Sequence, residues 1–384
     1  MTCKIGAKPD WTPNRYGFRV PSVISRAQVV GFRIRAQQLD RDTGSLDDTI
    51  VLNLGVQDTG PDGGLWALMA RGVDVTRVGD MLSTVWALRA APHLYLRDDL
   101  SHVAAAVSPV SDADANKRIF DAAKPLKAAG IGGIAALDAA AAAMRAVVTK
   151  PMLKGEVSTR MTAVMDAPYL RNCGPCETTH MYENTFRLAA LRGGLELQPG
   201  TSPPVLQRNP QFRTAVEVPQ RLDVVRTYLH LLGPATPKQV AEYVDSPVKV
   251  IEGRWPSDVV DVTVDGERRS VLAADVDAFG SGVVRTVRLL GPFDPFLQAK
   301  DRSTLVPDPA RMKQLWPTLG RPGGVLVDGD IVGVWRPRKS GSRLSVEVGL
   351  WDSVPKARRD AIAVQAERLA AFRHLALSGV HFVD

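Results

Sequence analysis

The sequence has few cysteines and no long apolar runs, and both shortages limit what the protein can be. Only three of its 384 residues are cysteines, too few for a disulfide framework in so long a chain, so we expect a reducing, cytoplasmic setting. No uninterrupted apolar run reaches the roughly 18 residues that a membrane-spanning helix needs. The N-terminal stretch MTCKIGAKPDWTPNRYGF lacks the apolar core of a secretory signal. We therefore expect neither membrane spans nor a secretion signal.

The positive charge of the chain is concentrated in two segments. Apolar residues make up 45% and charged residues 23% of the sequence, which is typical of a globular protein with two or three domains at this length. The net charge is +7, yet residues 1–35 and residues 285–343 contribute +6 each, so the remainder carries −5. This distribution is typical of a surface that follows a polyanion. The alternative is a mildly basic protein whose charge serves only solubility.

The clearest local pattern covers residues 222–274 and predicts a winged helix. An apolar-periodic segment ends at Gly233-Pro234, and Thr236 with Gln239 then forms a capping-box pattern at the start of a second helix. A third helix, VKVIEGRW, is followed by two alternating runs separated by Asp265 and Gly266, a strong hairpin signal. Three helices followed by a hairpin is a plan that lays one helix in the major groove of DNA.

Two upstream segments show weaker versions of this plan. The first contains a helix capped by Ser25 (RAQVVGFRIRAQQL), a strand-like run (TIVLNLGV), the loop QDTGPDGG, two helical segments (LWALMARG and VDVTRVGDMLSTV) and a candidate wing, WALRAAPHLYLRDDL. The second starts near Ser111 and contains two helices (IAALDAAAAAMRAVVT and MLKGEVSTRMTAVM) before TFRLAALRGGLELQPG, in which a Gly pair signals a hairpin or a helix stop. Both segments end in an Arg-containing apolar stretch that turns at small residues and returns as a strand.

The remainder of the chain is rich in β-branched residues and closes with a helix. Turns at Asp328-Gly329 and Ser340-Gly341 separate the runs, and an amphipathic helix is predicted over residues 355–377. Its predicted apolar members are Ala361, Val364, Leu369, Phe372 and Leu375.

We therefore predict an α+β fold with three tandem winged-helix units and a C-terminal small β-sheet or partial barrel closed by a helix. The alternative is one winged helix attached to an unrelated helical domain. The predicted boundaries are 1–110, 111–218 and 219–284 for the three winged-helix units, and 285–384 for the β domain.

Several blocks of the sequence together resemble a bacterial family of winged-helix DNA glycosylases. They are LLGPFDPFLQAKDR with GVLVDGDIVGVWRPR near the C-terminus, and VLNLGVQDTGP, LWALMARG and TVWALRAAPHLYL near the N-terminus. The resemblance spans nearly the whole chain, with the blocks in the same order. It implies removal of bulky or crosslinked N7-alkylated purines from DNA, an activity that in some members protects producers of DNA-alkylating antibiotics.

The resemblance also implies a catalytic motif at Gln57-Asp58-Thr59. The family motif is a Gln, an apolar residue and then Gln or Asp, so the Gln is retained here, whereas the second residue is acidic and the third is a hydroxyl. A Gln carbonyl can orient a water at the anomeric carbon, and a carboxylate can serve as base or counter-charge to the developing oxocarbenium ion. The alternatives are a structural turn whose side chains bond their own backbone, and a ligand-binding loop without turnover.

Further candidate DNA contacts lie in the first wing, the C-terminal hairpin and the third unit. Arg89 and His93 match an Arg and a His that the family carries in its first wing, where they are expected either to contact phosphate or to line the lesion pocket. A lone His in a hairpin is more often structural. Asp294 is expected to cap a turn, with a role in the charge of the DNA groove as the alternative. The remaining candidates are Lys249 and Arg254 on the third unit's recognition helix, and Arg336, Arg338, Lys339 and Arg343 around the Ser-Gly turn.

The sequence predicts no metal site and no cofactor. Cys173 and Cys176 form a CxxC pair with His180 four residues further on, but a second ligand pair is lacking and no thioredoxin-like context surrounds the motif.

The predicted function is thus a DNA glycosylase that acts as a monomer on double-stranded, alkylated DNA. The alternatives are a non-catalytic DNA-binding regulator or lesion sensor, and a resistance protein that sequesters a drug.

Overall fold

The computed structural model describes residues 11–13, 19–21, 23–60, 63–280, 282 and 284–383. Pro61 and Asp62 of the QDTGPDGG loop, and much of the basic N-terminal segment, lie outside these residues. The helices are α1 (Arg26–Ala36), α2 (Gly63–Met69), α3 (Leu100–Val107), α4 (Asp112–Arg118), α5 (Phe120–Ala128), α6 (Gly133–Val147), α7 (Lys154–Val164), α8 (Glu183–Arg192), α9 (Val224–Leu232), α10 (Pro237–Val244), α11 (Val248–Glu252), α12 (Arg302–Leu305), α13 (Pro309–Leu315) and α14 (Lys356–Phe372).

The strands belong to several small sheets between these helices. They are β1 (Trp11–Pro13), β2 (Arg19–Pro21), β3 (Val56–Gln57), β4 (Leu82–Trp86), β5 (Pro92–Leu96), β6 (Met152–Leu153), β7 (Leu170–Cys173), β8 (Thr178–Met181), β9 (Leu195–Leu197), β10 (Val205–Arg208), β11 (Val259–Val264), β12 (Glu267–Leu272), β13 (Val287–Leu290), β14 (Gly323–Val327), β15 (Asp330–Ser340), β16 (Arg343–Leu350) and β17 (Ala376–Val383).

One sheet joins the first two predicted units. Its six strands have the order β3-β5-β4-β9-β10-β6, so strands from residues 1–110 and from residues 111–218 lie side by side. The junction is the pairing of Thr84 in β4 with Leu197 in β9. The boundary predicted at residue 110 therefore separates two segments that share a sheet.

The third segment contains its helices and hairpin in the predicted order. Thr236 and Gln239 form the predicted capping box, and Pro237 is the first residue of α10. The β11–β12 turn has positive φ at Asp265 (49°) and Gly266 (80°), which is the backbone conformation of a type I′ hairpin. Local sequence signals are sufficient here because caps and tight turns depend on near neighbours.

The C-terminal segment forms an open five-stranded sheet with the order β13-β14-β15-β16-β17. Helix α14 covers it with the buried side chains Ile362, Ala366 and Leu369. Two details of the predicted helix are wrong: Val364 is 51% exposed, and the helix ends at Phe372, before Leu375. The chain then forms β17, parallel to β16, a strand that the helical interpretation did not include.

Two other local predictions in the first segment are wrong. The run TIVLNLGV contains a 3₁₀ helix at Ile50–Asn53 and only the beginning of β3, because a buried apolar run is equally compatible with a helical turn. The segment VDVTRVGDMLSTV forms two 3₁₀ turns, Val75–Arg77 and Gly79–Met81, and then β4 rather than a helix. Gly79 has a φ of 44°, which interrupts a right-handed helix.

A continuous apolar core connects the four predicted segments. Its buried members include Leu52 from the first, Leu191 from the second, Leu229 from the third and Leu326 from the fourth.

No single helix within the described residues is long and apolar enough to span a bilayer. Helices α5 and α6 meet the length and composition test only as a pair, bent by 103°.

Candidate functional site

The predicted motif lies where β3 ends at the edge of the six-stranded sheet. Gln57 is the last residue of β3 and is paired with His93 of β5. The backbone N–H of Asp58 donates to the carbonyl of Pro92 over 2.8 Å, which fixes the point where the loop leaves the sheet. The motif is therefore anchored to a rigid element although Asp58 and Thr59 themselves belong to a loop.

Both ends of the Gln57 amide are held by other side chains. Its Nε2 donates to the Thr59 hydroxyl over 3.1 Å, and its Oε1 accepts from Arg89 over 3.2 Å. Arg89 also donates to the backbone carbonyl of Tyr243 over 2.6 Å and lies 4.5 Å from the centre of the Tyr243 ring. A carbonyl oxygen has two acceptor positions, so the orientation of Gln57 is fixed while one position at Oε1 remains for another donor.

Asp58 caps the start of α2. Its Oδ1 accepts from the backbone N–H of Gly64 over 2.7 Å. Gly63 has a φ of 42°, and a Cβ at this position would lie 2.0 Å from the same oxygen, so the turn requires glycine. Burial raises the pKa of the Asp58 carboxyl above its usual range, although the hydrogen bond from Gly64 opposes this shift.

Asp58 and Thr59 line a cleft of about 970 Å³. The cleft also contains cationic side chains from two segments, namely Arg89, Lys154 and Arg187. Among the described residues that line it, Asp58 is the only carboxylate. The apolar part of the wall is formed by Leu65, Trp86 and Phe372.

Lys154 and Arg187 were not identified from the sequence. Both contact the Glu183 carboxylate, at 2.7 Å and 2.6 Å respectively, and the Arg187 guanidinium lies 5.5 Å from the centre of the Trp86 ring. They reach the motif only because the second segment adds its strands to the sheet of the first, and no local pattern in their sequence neighbourhoods signals this.

His93 lies in the protein interior and not on the surface of the first wing. It is fully buried, its Nδ1 lies 2.9 Å from the carbonyl oxygen of Ala91, and burial together with the charge of Arg89 lowers its pKa to about 3. A neutral, enclosed imidazole does not offer a cation to phosphate. The structure therefore places His93 behind the motif, paired with Gln57, and its predicted direct contact with DNA is not present in this geometry.

A basic cluster extends from Arg89 toward the C-terminal segment, and we define it as Arg89, Lys300, Arg302 and Arg321. Burial, and then the charges of Arg89 and Arg302, lower the pKa of Lys300 to about 8. Burial, and then Arg302 and Arg89, likewise lower the pKa of Arg321. Like charges gathered in this way form a site that favours an anion. Of the four residues, only Arg89 was predicted from the sequence.

The other predicted DNA contacts lie on two separate surfaces. Arg336, Arg338, Lys339 and Arg343 belong to the strands that flank the β15–β16 turn, and Arg338 also contacts Glu347 over 3.0 Å. Lys249 is exposed on α11, a helix of only five residues. Arg254 follows that helix and contacts Asp223 over 3.3 Å.

Asp294 has the structural role that was expected. It is fully buried, accepts from the backbone N–H of Phe296 over 2.9 Å, and forms a two-bond ion pair with the buried Arg71, at 2.9 Å for each bond. Its charge is thus balanced within the protein.

Comparisons with known proteins show the family and the fold of the chain. A family model described as DNA glycosylase AlkZ-like matches residues 54–372. Among solved structures, the DNA glycosylase AlkZ of Streptomyces sahachiroi is similar, with a TM-score of 0.68 and 20% sequence identity, and the match covers 94% of this chain and 100% of that chain. At this identity the structural match demonstrates the shared fold. A comparison with curated protein sequences finds no match.

Proposed function

Because this chain belongs to the AlkZ-like DNA glycosylase family, we propose that it hydrolyses the N-glycosidic bond of bulky N7-alkylated purines in double-stranded DNA, as a monomer. The observation that carries the proposal is the cleft, in which the carboxylate of Asp58 faces the same space as Arg89, Lys154 and Arg187. Cations at this position bind the phosphates that flank a lesion, and the carboxylate acts at the sugar.

The proposed chemistry follows from the charge of the leaving base. An N7-alkylated purine is already cationic, so the protein has little need to protonate it and must mainly stabilise the positive charge that develops on the sugar. Asp58 supplies a negative charge for this purpose and can accept a proton from the attacking water. Gln57 does not itself line the cleft, but it contacts Arg89 and Thr59, which do, and we propose that the remaining acceptor position of its Oε1 orients that water.

The wider DNA interface is proposed to consist of three winged-helix units and the C-terminal hairpin. In the third unit, the five-residue helix α11 has one exposed cation, Lys249, and Arg254 already contacts Asp223. Direct readout of bases requires several side chains directed at base edges. We therefore propose that this unit binds through backbone charge and shape, and that specificity for the lesion comes from the cleft.

A second candidate function, a lesion sensor without turnover, is favoured by one observation. Both polar ends of the Gln57 amide have partners inside the protein, and Asp58 serves as a helix cap, so each has a structural role that does not require catalysis.

Detection of abasic sites separates the two functions. The purified protein is incubated with a duplex carrying one bulky N7-alkylguanine, and abasic sites are detected by strand cleavage after alkaline treatment. We expect cleavage at the lesion for the wild type and strongly reduced cleavage for Gln57→Ala. Gln211→Ala is the matched control, because Gln211 is exposed and, unlike Gln57, contacts neither Thr59 nor Arg89 of the cleft wall.

The outcomes have distinct meanings. Lesion-dependent binding without abasic product supports the sensor and contradicts the glycosylase. Equal affinity for damaged and undamaged duplexes, with no product, contradicts both.

A further inference from the structure

A hairpin of the second segment brings together three potential metal ligands. Strands β7 and β8 pair in antiparallel fashion, with Cys173 opposite Thr178, and the short 3₁₀ turn Gly174–Cys176 connects them. Cys173 and Cys176 are free thiols, the first buried and the second exposed. Because side chains alternate along a strand, His180 lies on the same face of β8 as Thr178, and therefore on the face that Cys173 occupies on β7.

The three donor atoms are close enough for one ion. The sulfur atoms of Cys173 and Cys176 and a ring nitrogen of His180 all lie within 4.8 Å of one another. In a tetrahedral zinc site, bond lengths of about 2.3 Å to sulfur and about 2.0 Å to nitrogen place these donors roughly 3.5–3.8 Å apart. Small side-chain rotations are enough to close the remaining difference.

The contact made by the His180 ring provides an independent observation. Its Nδ1 lies 2.6 Å from the backbone carbonyl oxygen of Met181. This contact occupies Nδ1 and leaves Nε2 as the ring nitrogen available to a metal ion. A ligating histidine whose other nitrogen donates to a backbone carbonyl is the usual arrangement in metal sites.

We propose that Cys173, Cys176 and His180 bind one Zn²⁺ ion, with a water molecule completing its tetrahedral coordination. A redox-active dithiol is the competing interpretation of the CxxC sequence. A redox-active CxxC motif typically belongs to a thioredoxin-like βαβ unit, whereas here the motif forms a three-residue turn between two antiparallel strands.

The zinc ion would restrain the elements that form one wall of the cleft. Helix α7, which begins with Lys154, packs against β8, and β8 leads into α8, which carries Glu183 and Arg187. Glu183 holds both Lys154 and Arg187, and these two cations line the cleft. Crosslinking β7 to β8 through a metal therefore restrains the elements that position them.

Metal content tests the proposal directly. The full chain is purified under reducing conditions, treated with chelator, reloaded with Zn²⁺ and desalted, and zinc is measured by mass spectrometry. We expect about one zinc per chain, and substitution by Co²⁺ should give the intense visible bands of a tetrahedral thiolate site. Cys176→Ala and His180→Gln should each weaken zinc affinity by more than the roughly 10- to 100-fold that loss of an outer-shell partner causes.

The control variants replace one cysteine and one histidine that lie outside the proposed zinc site. Cys3→Ala and His102→Gln should retain full zinc content, and circular dichroism should show that all variants are folded. Because Cys176 is exposed, its loss is compatible with folding. Two results would overturn the proposal. One is a disulfide between Cys173 and Cys176 in the reduced preparation. The other is adventitious metal only, meaning a zinc content that none of the ligand substitutions changes.

Discussion

Arg89 connects the motif, the cleft and the third segment through a single side chain. It donates to Gln57 and to the Tyr243 carbonyl while its guanidinium lies over the Tyr243 ring. Burial is the main cause of the lowered pKa of His93 and of Lys300, and the charge of Arg89 adds to it. Of these two groups, Lys300 is the one whose pKa lies near neutral pH, at about 8.

We expect DNA affinity to decrease as the pH rises through about 8. The pKa of Lys300 is lowered to about 8, chiefly by burial, while Glu242 and Asp245 oppose the shift. The ammonium is charged below this pH and loses its proton above it, so one cation of the basic cluster disappears. Fluorescence anisotropy at constant ionic strength measures the effect.

Two matched variants distinguish this residue from other lysines. In Lys300→Arg the guanidinium keeps its charge, so the decrease between about pH 7 and pH 9 should be absent. Lys313→Arg, at an exposed position, should behave as the wild type does. An unchanged pH dependence in Lys300→Arg would contradict the assignment.

Single elements differ in how well the sequence predicts them, and the difference follows the range of the interactions involved. The cap at Ser25 and the capping box at Thr236 were predictable because each depends on residues within three positions along the chain. Strand β17 was not, because its pairing with β16 depends on residues far away along the chain. The strand predicted for TIVLNLGV was wrong for the same reason, because contacts with distant residues decide whether a short apolar run forms a strand or a helical turn.

The tip of the β15–β16 hairpin is expected to bind the DNA backbone without reading sequence. Lys339→Ala combined with Arg343→Ala should weaken binding to damaged and undamaged duplexes equally. The slope of log affinity against log salt concentration should become shallower by about 0.9 for each phosphate that the protein no longer neutralises. Titrations at several salt concentrations measure this slope.

A variant of equal net charge serves as the control for the hairpin. Lys124→Ala combined with Lys127→Ala removes two exposed lysines from α5 and should leave the slope unchanged. Equal effects of the two double variants would show that net charge, and not the hairpin, is responsible.

At the scale of the whole molecule, buried ion pairs tie the C-terminal segment to the N-terminal one. Arg71 and Asp294 are both fully buried, and Asp301 is held by Arg33 of α1 at 2.7 Å and by Arg269 of β12 at 2.6 Å. Such contacts between distant segments bring the parts of the candidate site together, and for this reason the sequence predicted the site only in part. The motif is a local sequence, whereas the cations around it are assembled by folding of distant segments.

We expect the chain to unfold in one cooperative transition that Asp294→Asn shifts as a whole. Removing this carboxylate leaves the Arg71 guanidinium buried without its counter-charge, which costs about 3–5 kcal/mol. Urea unfolding followed by tryptophan fluorescence and by far-ultraviolet circular dichroism should give coincident curves, both shifted to lower urea.

An exposed ion pair provides the comparison. Asp352 contacts Arg311 over 2.7 Å near the surface, so Asp352→Asn should cost no more than about 1 kcal/mol. Separate transitions for different probes would show that the segments unfold independently.

The central claim is that the Asp58 carboxylate acts on the sugar in the cleft, and single-turnover excision by Asp58→Asn tests it most directly. The amide oxygen of Asn can still accept from Gly64, so the cap on α2 is retained while the negative charge is removed. With enzyme in excess over a duplex carrying one N7-alkylguanine, we predict a rate reduced by about 100- to 10,000-fold, with unchanged lesion affinity and an unchanged melting temperature. Asp98→Asn, at a position outside the cleft, should excise at the wild-type rate. Excision by Asp58→Asn at the wild-type rate would contradict the claim.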